Sequence, residues 1–248
     1  MVERDIGELV RGMLEGEEVS LARLISTIED DLSTIPEVLE RIPSNKDESY
    51  RIGITGAPSV GKSALVDQLI ILFRNDGLSV GVIAVDPSSS ISGGALLGDR
   101  VRMQRHWLDR GVFIRSMATR CSSGGLSRAA STAVRLLSAF GKDIIIVETA
   151  GVGQTEVDVK NIVNSVVVVL NSEYGDSIQL MKAGLIEIAD IIVVNKADRG
   201  GADRLATEIQ AVLSLSGIPK DQVPVLTSEA INSKGIEELY QAIRRYMP

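Results

Sequence analysis

The chain has a single cysteine, Cys121, and a single histidine, His106, in 248 residues. An internal disulfide framework and a cysteine-based zinc site are therefore excluded. Aromatic residues make up only 3%, so any core must be built from Val, Ile, Leu and Ala. Long hydrophobic runs are missing as well. The longest stretches, such as Ser165 to Leu170 and Ile191 to Val194, fall far short of the roughly 20 residues a membrane-spanning helix needs. The opening MVERDIGELVRGM is acidic and carries no apolar signal segment. Positive charge is in the minority, 26 Lys+Arg against 33 Asp+Glu for a formal charge of −7, which argues against general nucleic-acid or anionic-membrane binding. What is present is a 44% hydrophobic fraction, enough for a sizeable core and too much for disorder. The expectation is a soluble, cytoplasmic protein.

Residues 2–42 read as helical, with Leu9, Val10 and Leu14 on one face and Leu21, Leu24, Ile25 and Ile28 recurring at helical spacing. Ser20 and Ser33 are the expected N-caps. Pro43 breaks the pattern, and SNKDES links to the first strand. Short β-branched runs then alternate with helical ones. The expected strands are Arg51–Thr55, Val80–Val85, Val112–Arg115, Asp143–Val147, Ser165–Leu170, Ile191–Val194 and Val223–Leu226. Most are apolar on successive residues, as parallel strands covered on both faces require. The fold class is α/β, a doubly wound, mostly parallel sheet, with a helical extension over 1–45 and the main domain over 46–248.

GAPSVGKS, Gly56 to Ser63, matches G-x-x-x-x-G-K-[ST] between the strand RIGIT and the helix SALVDQLIILF. In such a P-loop the backbone of Gly56, Ala57, Pro58, Ser59, Val60, Gly61, Lys62, Ser63 and Ala64 curls so that N–H groups meet phosphate oxygens. Lys62 bridges the β- and γ-phosphates, and Ser63 offers its hydroxyl to Mg²⁺.

NKAD follows the apolar strand IIVV. The Asp198 carboxylate can accept two hydrogen bonds from guanine, whereas adenine lacks that donor pair and leaves it unpaired. Asn195, Lys196 and Asp198 thus favour GTP and GDP over ATP. Ser228, after the next strand, fits the loop that closes over the base. Asp86, Asp99 and Glu148 sit at the carboxyl ends of strands or in the loops beyond, where open α/β sheets bind ligands. Mg²⁺ takes only one or two carboxylates directly, so these three and Ser63 are metal-site candidates rather than a complete set. Glu148 opens E-T-A-G, which places the Gly151 N–H to sense the γ-phosphate. Gln154 is a candidate for orienting water, with a surface position as the other reading.

The stretches VDPSSSISGGALLGDRVRM, FIRSMATR with SSGGLSRA, VETAGVGQTE and GLIEIADIIVVNKAD together resemble the MeaB/ArgK group of P-loop GTPases. The resemblance extends from the N-terminal helices to the last helix. It implies GTP hydrolysis with Mg²⁺, coupled to loading or protecting the cofactor of an adenosylcobalamin-dependent acyl-CoA mutase, of methylmalonyl-CoA type. It also implies that Lys62, Ser63, Asp86, Asp99 and Glu148 serve phosphates and metal, and that Asn195, Lys196 and Asp198 hold guanine. Glu173–Lys182 becomes an additional switch, with Lys182 catalytic. Ser59 replaces a usual Gly, Ala64 a common Thr, and Met181 the first lysine of a pair. Family members commonly pair through a helical C-terminal arm; the expectation for this chain is a candidate homodimer that lacks that arm.

Eight arginines and two aspartates fall between Asp99 and Arg135 with no lysine or glutamate. That +6 segment is the expected partner-facing surface. His106 is not needed as a base for phosphoryl transfer. The competing readings are a nucleotide-binding module with weak or no turnover, a transport-associated ATPase or kinase, and a nickel-inserting GTPase, which would call for a His- or Cys-rich tract.

Overall fold

The structure, a computed structural model, describes residues 5–43, 48–87, 103–119, 128–151, 155–172, 184–219 and 222–248. In chain order the elements are α1 (Ile6–Leu14), α2 (Glu18–Asp30), α3 (Ile35–Glu40), β1 (Tyr50–Thr55), α4 (Lys62–Asn75), β2 (Val80–Pro87) and β3 (Val112–Thr119). Then come α5 (Arg128–Phe140), β4 (Ile144–Glu148), α6 (Thr155–Asp158), β5 (Ser165–Asn171), α7 (Leu185–Ile188), β6 (Ile191–Asn195), α8 (Ala202–Leu215), β7 (Val225–Thr227) and α9 (Ile236–Arg244).

The seven strands form one sheet in the order β3-β2-β4-β1-β5-β6-β7, and every pairing is parallel. The β-branched runs explain this. With no polar face to present to water, β4 and β5 are buried at every position, which only a sheet covered on both sides allows. Alternate residues feed two cores. Ile145, Val147, Val166, Val168, Ile192 and Val194 pack with α1, α2, α5 and α8. Ile144, Ile146, Val167, Val169, Ile191 and Val193 pack with α4 and α9. The chain builds β2 and β3 on one side of β1 and, after β4, moves to β5 on the other. The end of β1 is therefore where strand order reverses, the place where such sheets bind ligands.

All seven expected strands form, with shifted ends. β2 and β3 run on to Pro87 and Thr119 because they pair along their whole length. Asp143 lies outside β4, where its carboxylate accepts the Ser79 N–H at 2.7 Å. β7 starts at Val225 because Pro224 offers only its carbonyl, which accepts Ile192 N–H at 2.9 Å.

Leu21, Leu24, Ile25 and Ile28 are buried as their spacing requires, and Arg115 of β3 bonds Ser26 and Glu29 of α2. The two expected caps are corrected. Ser20 lies inside α2 and donates its hydroxyl to Glu17, the residue at the N-cap position. Ser33 lies within a short 3₁₀ turn capped by Asp31, whose side chain accepts the Ser33 N–H at 2.9 Å. At the 3₁₀ turn the Asp31 carboxylate, two residues earlier, takes the exposed amide of Ser33, whereas at α2 the Glu17 carboxylate, three residues before Ser20, accepts the serine hydroxyl instead. No helix among the described residues is long and apolar enough to cross a membrane.

Candidate functional site

The loop Gly56–Gly61 joins β1 to α4 at the reversal point. Its turn is tight enough to need left-handed backbone at Ser59 (φ 64°) and Gly61 (φ 102°). Gly61 has no room for a side chain. A Cβ there would lie 2.2 Å from Asn195 Nδ2. Ser59 adopts the same region with a side chain, which costs roughly 1 kcal/mol, and its side chain is exposed.

Lys62 and Ser63 open α4 and are both buried. The ammonium of Lys62, only 7% exposed, donates to Gly56 O at 2.7 Å and Ala57 O at 2.9 Å. It therefore lies along the inside of the loop, among acceptors that phosphate oxygens can replace. Ser63 Oγ donates to Glu148 Oε1 at 2.7 Å, joining the first turn of α4 to the end of β4. Register places Ala84 of β2 beside Glu148, so the backbone of Asp86 lies two residues further along that strand. Hydroxyl and carboxylate oxygens in this arrangement suit a hard, oxygen-binding cation such as Mg²⁺. Asp99, Gln154 and Glu173–Lys182, with Lys182 and Met181, lie outside the described residues.

Gly151 follows β4 with φ 81°, and a Cβ on it would sit 2.5 Å from Gly56 O and 2.8 Å from Pro58 N. Its backbone therefore rests directly on the P-loop. Behind it, Thr149 Oγ1 donates to Thr55 Oγ1 at 2.9 Å, fully buried. This hydroxyl pair was not anticipated from the sequence. The register of β4 against β1 would have been needed to find it.

Asn195 ends β6 and bonds in two directions. Its Nδ2 donates to Val60 O at 2.9 Å. Its Oδ1 accepts from Ser228 Oγ at 3.0 Å and from the Ala230 N–H at 3.1 Å. The phosphate loop, the NKAD turn and the loop after β7 are thus one connected unit. Ser228 is buried and supports Asn195 rather than presenting a free hydroxyl. Lys196 has φ 59°, which turns the chain so that Asp198, in a short 3₁₀ turn, is exposed beyond the strand ends. Sequence reasoning named both ends of this unit but not the bonds across it.

His106 is buried and bonds Asp67 Oδ1 at 2.9 Å, so its place is structural. Within the arginine-rich stretch, Arg105 also binds Asp67 and Arg115 binds Glu29. Arg115 thus ties β3 to α2, and Arg105 ties its turn to α4.

A Gly-rich turn at the strand reversal, a buried lysine along its inside, and an NKxD turn bonded to it define a nucleotide-binding protein of the P-loop NTPase class. The family model for the methylmalonyl-CoA mutase-associated GTPase MeaB matches residues 21–248, and the chain belongs to that family. A putative GTPase of Pyrococcus abyssi is 48% identical over 245 residues, covering 97% of this chain and 76% of that one. GTPase ArgK of Escherichia coli is 35% identical over 252 residues, covering 97% and 76%. Among solved structures, one described as a LAO/AO transport system kinase superposes with a TM-score of 0.77 at 28% identity, covering 99% of this chain and 76% of that chain. The family match and the parallel, P-loop-bearing sheet agree with the MeaB/ArgK resemblance and the α/β fold expected from the sequence.

Proposed function

We propose that this GTPase-family chain binds GTP with Mg²⁺, hydrolyses it slowly, and presents its nucleotide state to an adenosylcobalamin-dependent acyl-CoA mutase, assisting cofactor loading or protection. The observation that carries the reading is Asn195, whose amide spans from the P-loop at Val60 to the loop at Ser228 and Ala230. A base held by Asp198 and a phosphate chain held by Gly56–Ala64 would then be fixed at one separation. An adenine in that position leaves the Asp198 carboxylate without its two donors.

In this reading the Lys62 ammonium turns from the Gly56 and Ala57 carbonyls to the β- and γ-phosphate oxygens. Ser63, Asp86, Asp99 and Glu148 are the groups that would hold Mg²⁺, directly or through water; the ion, when bound, neutralises charge on the phosphates. The Gly151 N–H is placed to follow the γ-phosphate, and Lys182 adds charge stabilisation. Residues 1–45 serve as a helical extension to a G domain over 46–248, and the setting is cytoplasmic. Met181, where the family places a lysine, favours a second reading, a nucleotide-binding regulatory module with weak turnover.

Nucleotide titrations and single-turnover hydrolysis, with and without purified methylmalonyl-CoA mutase, test both. GTP should bind at least ~100-fold more tightly than ATP, and Asp198→Ala should remove that preference. Absence of GTP binding, or a preference for ATP, overturns the proposal. GTP binding with no mutase-stimulated turnover selects the second reading.

A further inference from the structure

Between residue 103 and β3 the chain makes a turn that is held with unusual firmness for a surface segment. Met103 is fully buried. Arg105 and His106 both bind Asp67 of α4. Four residues later, Asp109 receives a two-pronged contact from Arg74, also of α4, at 2.9 and 3.0 Å, and accepts the Gly111 N–H at 2.8 Å. Internal bonds close the turn, with Trp107 N–H to Gln104 O at 3.2 Å and Asp109 N–H to His106 O at 3.0 Å. Between these two anchors stand Trp107, 60% exposed, and Leu108, 96% exposed. Trp107 is the only tryptophan in the chain.

Folding normally takes a Trp–Leu pair out of water, and isolated exposed apolar residues need no explanation. Here, adjacent apolar side chains are fixed outward by polar anchors on both sides. Rigid presentation lowers the entropy lost on association, and tryptophan is enriched among residues that dominate binding energy. We propose that this turn is a docking knob for a different protein, whose surface supplies an apolar cleft rimmed by carboxylates. The carboxylates answer Arg105, half-exposed beyond its contact with Asp67, and the exposed Arg110. A second copy of this chain is a poor occupant. A two-fold contact centred on the turn would set these arginines against their own copies. The knob is also tied to the nucleotide end, because Asp67 lies one turn beyond Ser63 on α4.

Taking the mutase as the partner rests on the function proposed above. The test measures affinity of the full chain for methylmalonyl-CoA mutase, and separately for GTP, by calorimetry. The double variant Trp107→Ala, Leu108→Ser should weaken mutase binding at least ~30-fold with GTP affinity unchanged. Arg110→Glu should weaken it about fivefold. The control Leu215→Ser removes an equally bare leucine, 88% exposed at the end of α8, and should change nothing. Asp67→Asn should weaken mutase binding by loosening the turn while Trp107 is still present. Mutase binding by the wild type that the double variant leaves intact overturns the knob alone. No mutase binding by the wild type overturns both the partner and the knob. A change from dimer to monomer in light scattering on making the double variant overturns the choice of partner in favour of a second copy.

Discussion

Each end of the sheet buries a lysine, and the two are held in different ways. At the carboxyl end Lys62 is wrapped by its own loop and bonded to two loop carbonyls. At the amino end Lys142 is 5% exposed, donates to Gly111 O at 3.1 Å and lies 5.5 Å from the centre of the Phe140 ring. The glycines divide the same way. Gly56, Gly61, Gly151 and Gly235, at the carboxyl end, have backbone or side-chain atoms where a Cβ would go. Gly77, Gly141 and Gly217, which follow α4, α5 and α8 at the amino end, have open space there despite positive φ. The amino end is closed by side chains instead, as where Asp143 caps Ser79 and Asn164 caps Arg51. One end uses glycine to bring backbone segments into contact with each other. At the other, Gly77, Gly141 and Gly217 stop helices, while Gly111, ahead of β3, leaves room for the Arg74 side chain.

The largest effect that would break this comparison comes from exchanging the roles of the two lysines. Lys62→Ala should lower single-turnover GTP hydrolysis by about 100- to 1,000-fold, the range for removing one preorganised charge-stabilising donor. Lys142→Met should leave it within about twofold, having no reach to the phosphates. If Lys142→Met costs as much turnover as Lys62→Ala, the two ends are not functionally distinct.

A smaller effect separates the glycines. Gly151→Ala and Gly141→Ala impose the same left-handed strain, roughly 1–2 kcal/mol each. Only Gly151→Ala also drives a methyl group to 2.5 Å from Gly56 O. It should therefore displace the segment after β4 and lower hydrolysis about tenfold or more, while Gly141→Ala shifts only the melting temperature. Equal turnover in the two variants would show that the contact between Gly151 and the P-loop has no catalytic part.

The strands were legible because β-branched runs on successive positions have only one stable setting, a parallel sheet covered on both faces. The P-loop and NKAD were legible because each is a contiguous string whose backbone shape its own residues dictate. The bonds joining them were not, since Asn195 meets Val60 across 135 positions and only the order of β1, β5 and β6 brings the two together. The caps at Ser20 and Ser33 were misread for a local reason. Asp31 takes the Ser33 amide with a charged acceptor, and α2 has already begun at Glu18, so the Ser20 hydroxyl turns back to Glu17 instead of capping. The arginine-rich stretch reads as one surface, yet Arg115 is an internal tie to Glu29 and Arg105 divides itself between Asp67 and solvent. A count of like charges carries no information about which carboxylates the fold will bring up to them.

The smallest effect concerns Lys142 by itself. Burial lowers its affinity for a proton, opposed by the nearby carboxylate of Glu18. The unfolded chain, where this lysine titrates near its ordinary value of 10.5, therefore binds more protons than the folded one just below that pH. Stability contributed at this position must rise as pH climbs through that window, because a buried charge is being discharged. Below it, the penalty for burying the ammonium is present in full. Tyr240, pushed up to about 12 by burial and by Asp76, works in the other direction and only above its ordinary value of 10.0. Urea unfolding of the wild type and of Lys142→Met at pH 7, 8.5 and 9.5, each about one titration step apart, separates the two. Tyr240 is common to both proteins, so the difference in their stabilities isolates Lys142. That difference should move in favour of the wild type as pH rises. A difference that stays flat across the series would mean that the lysine keeps its charge as easily inside as outside. The amino end would then hold its lysine as comfortably as water does, and burial would no longer distinguish Lys142 from a surface residue.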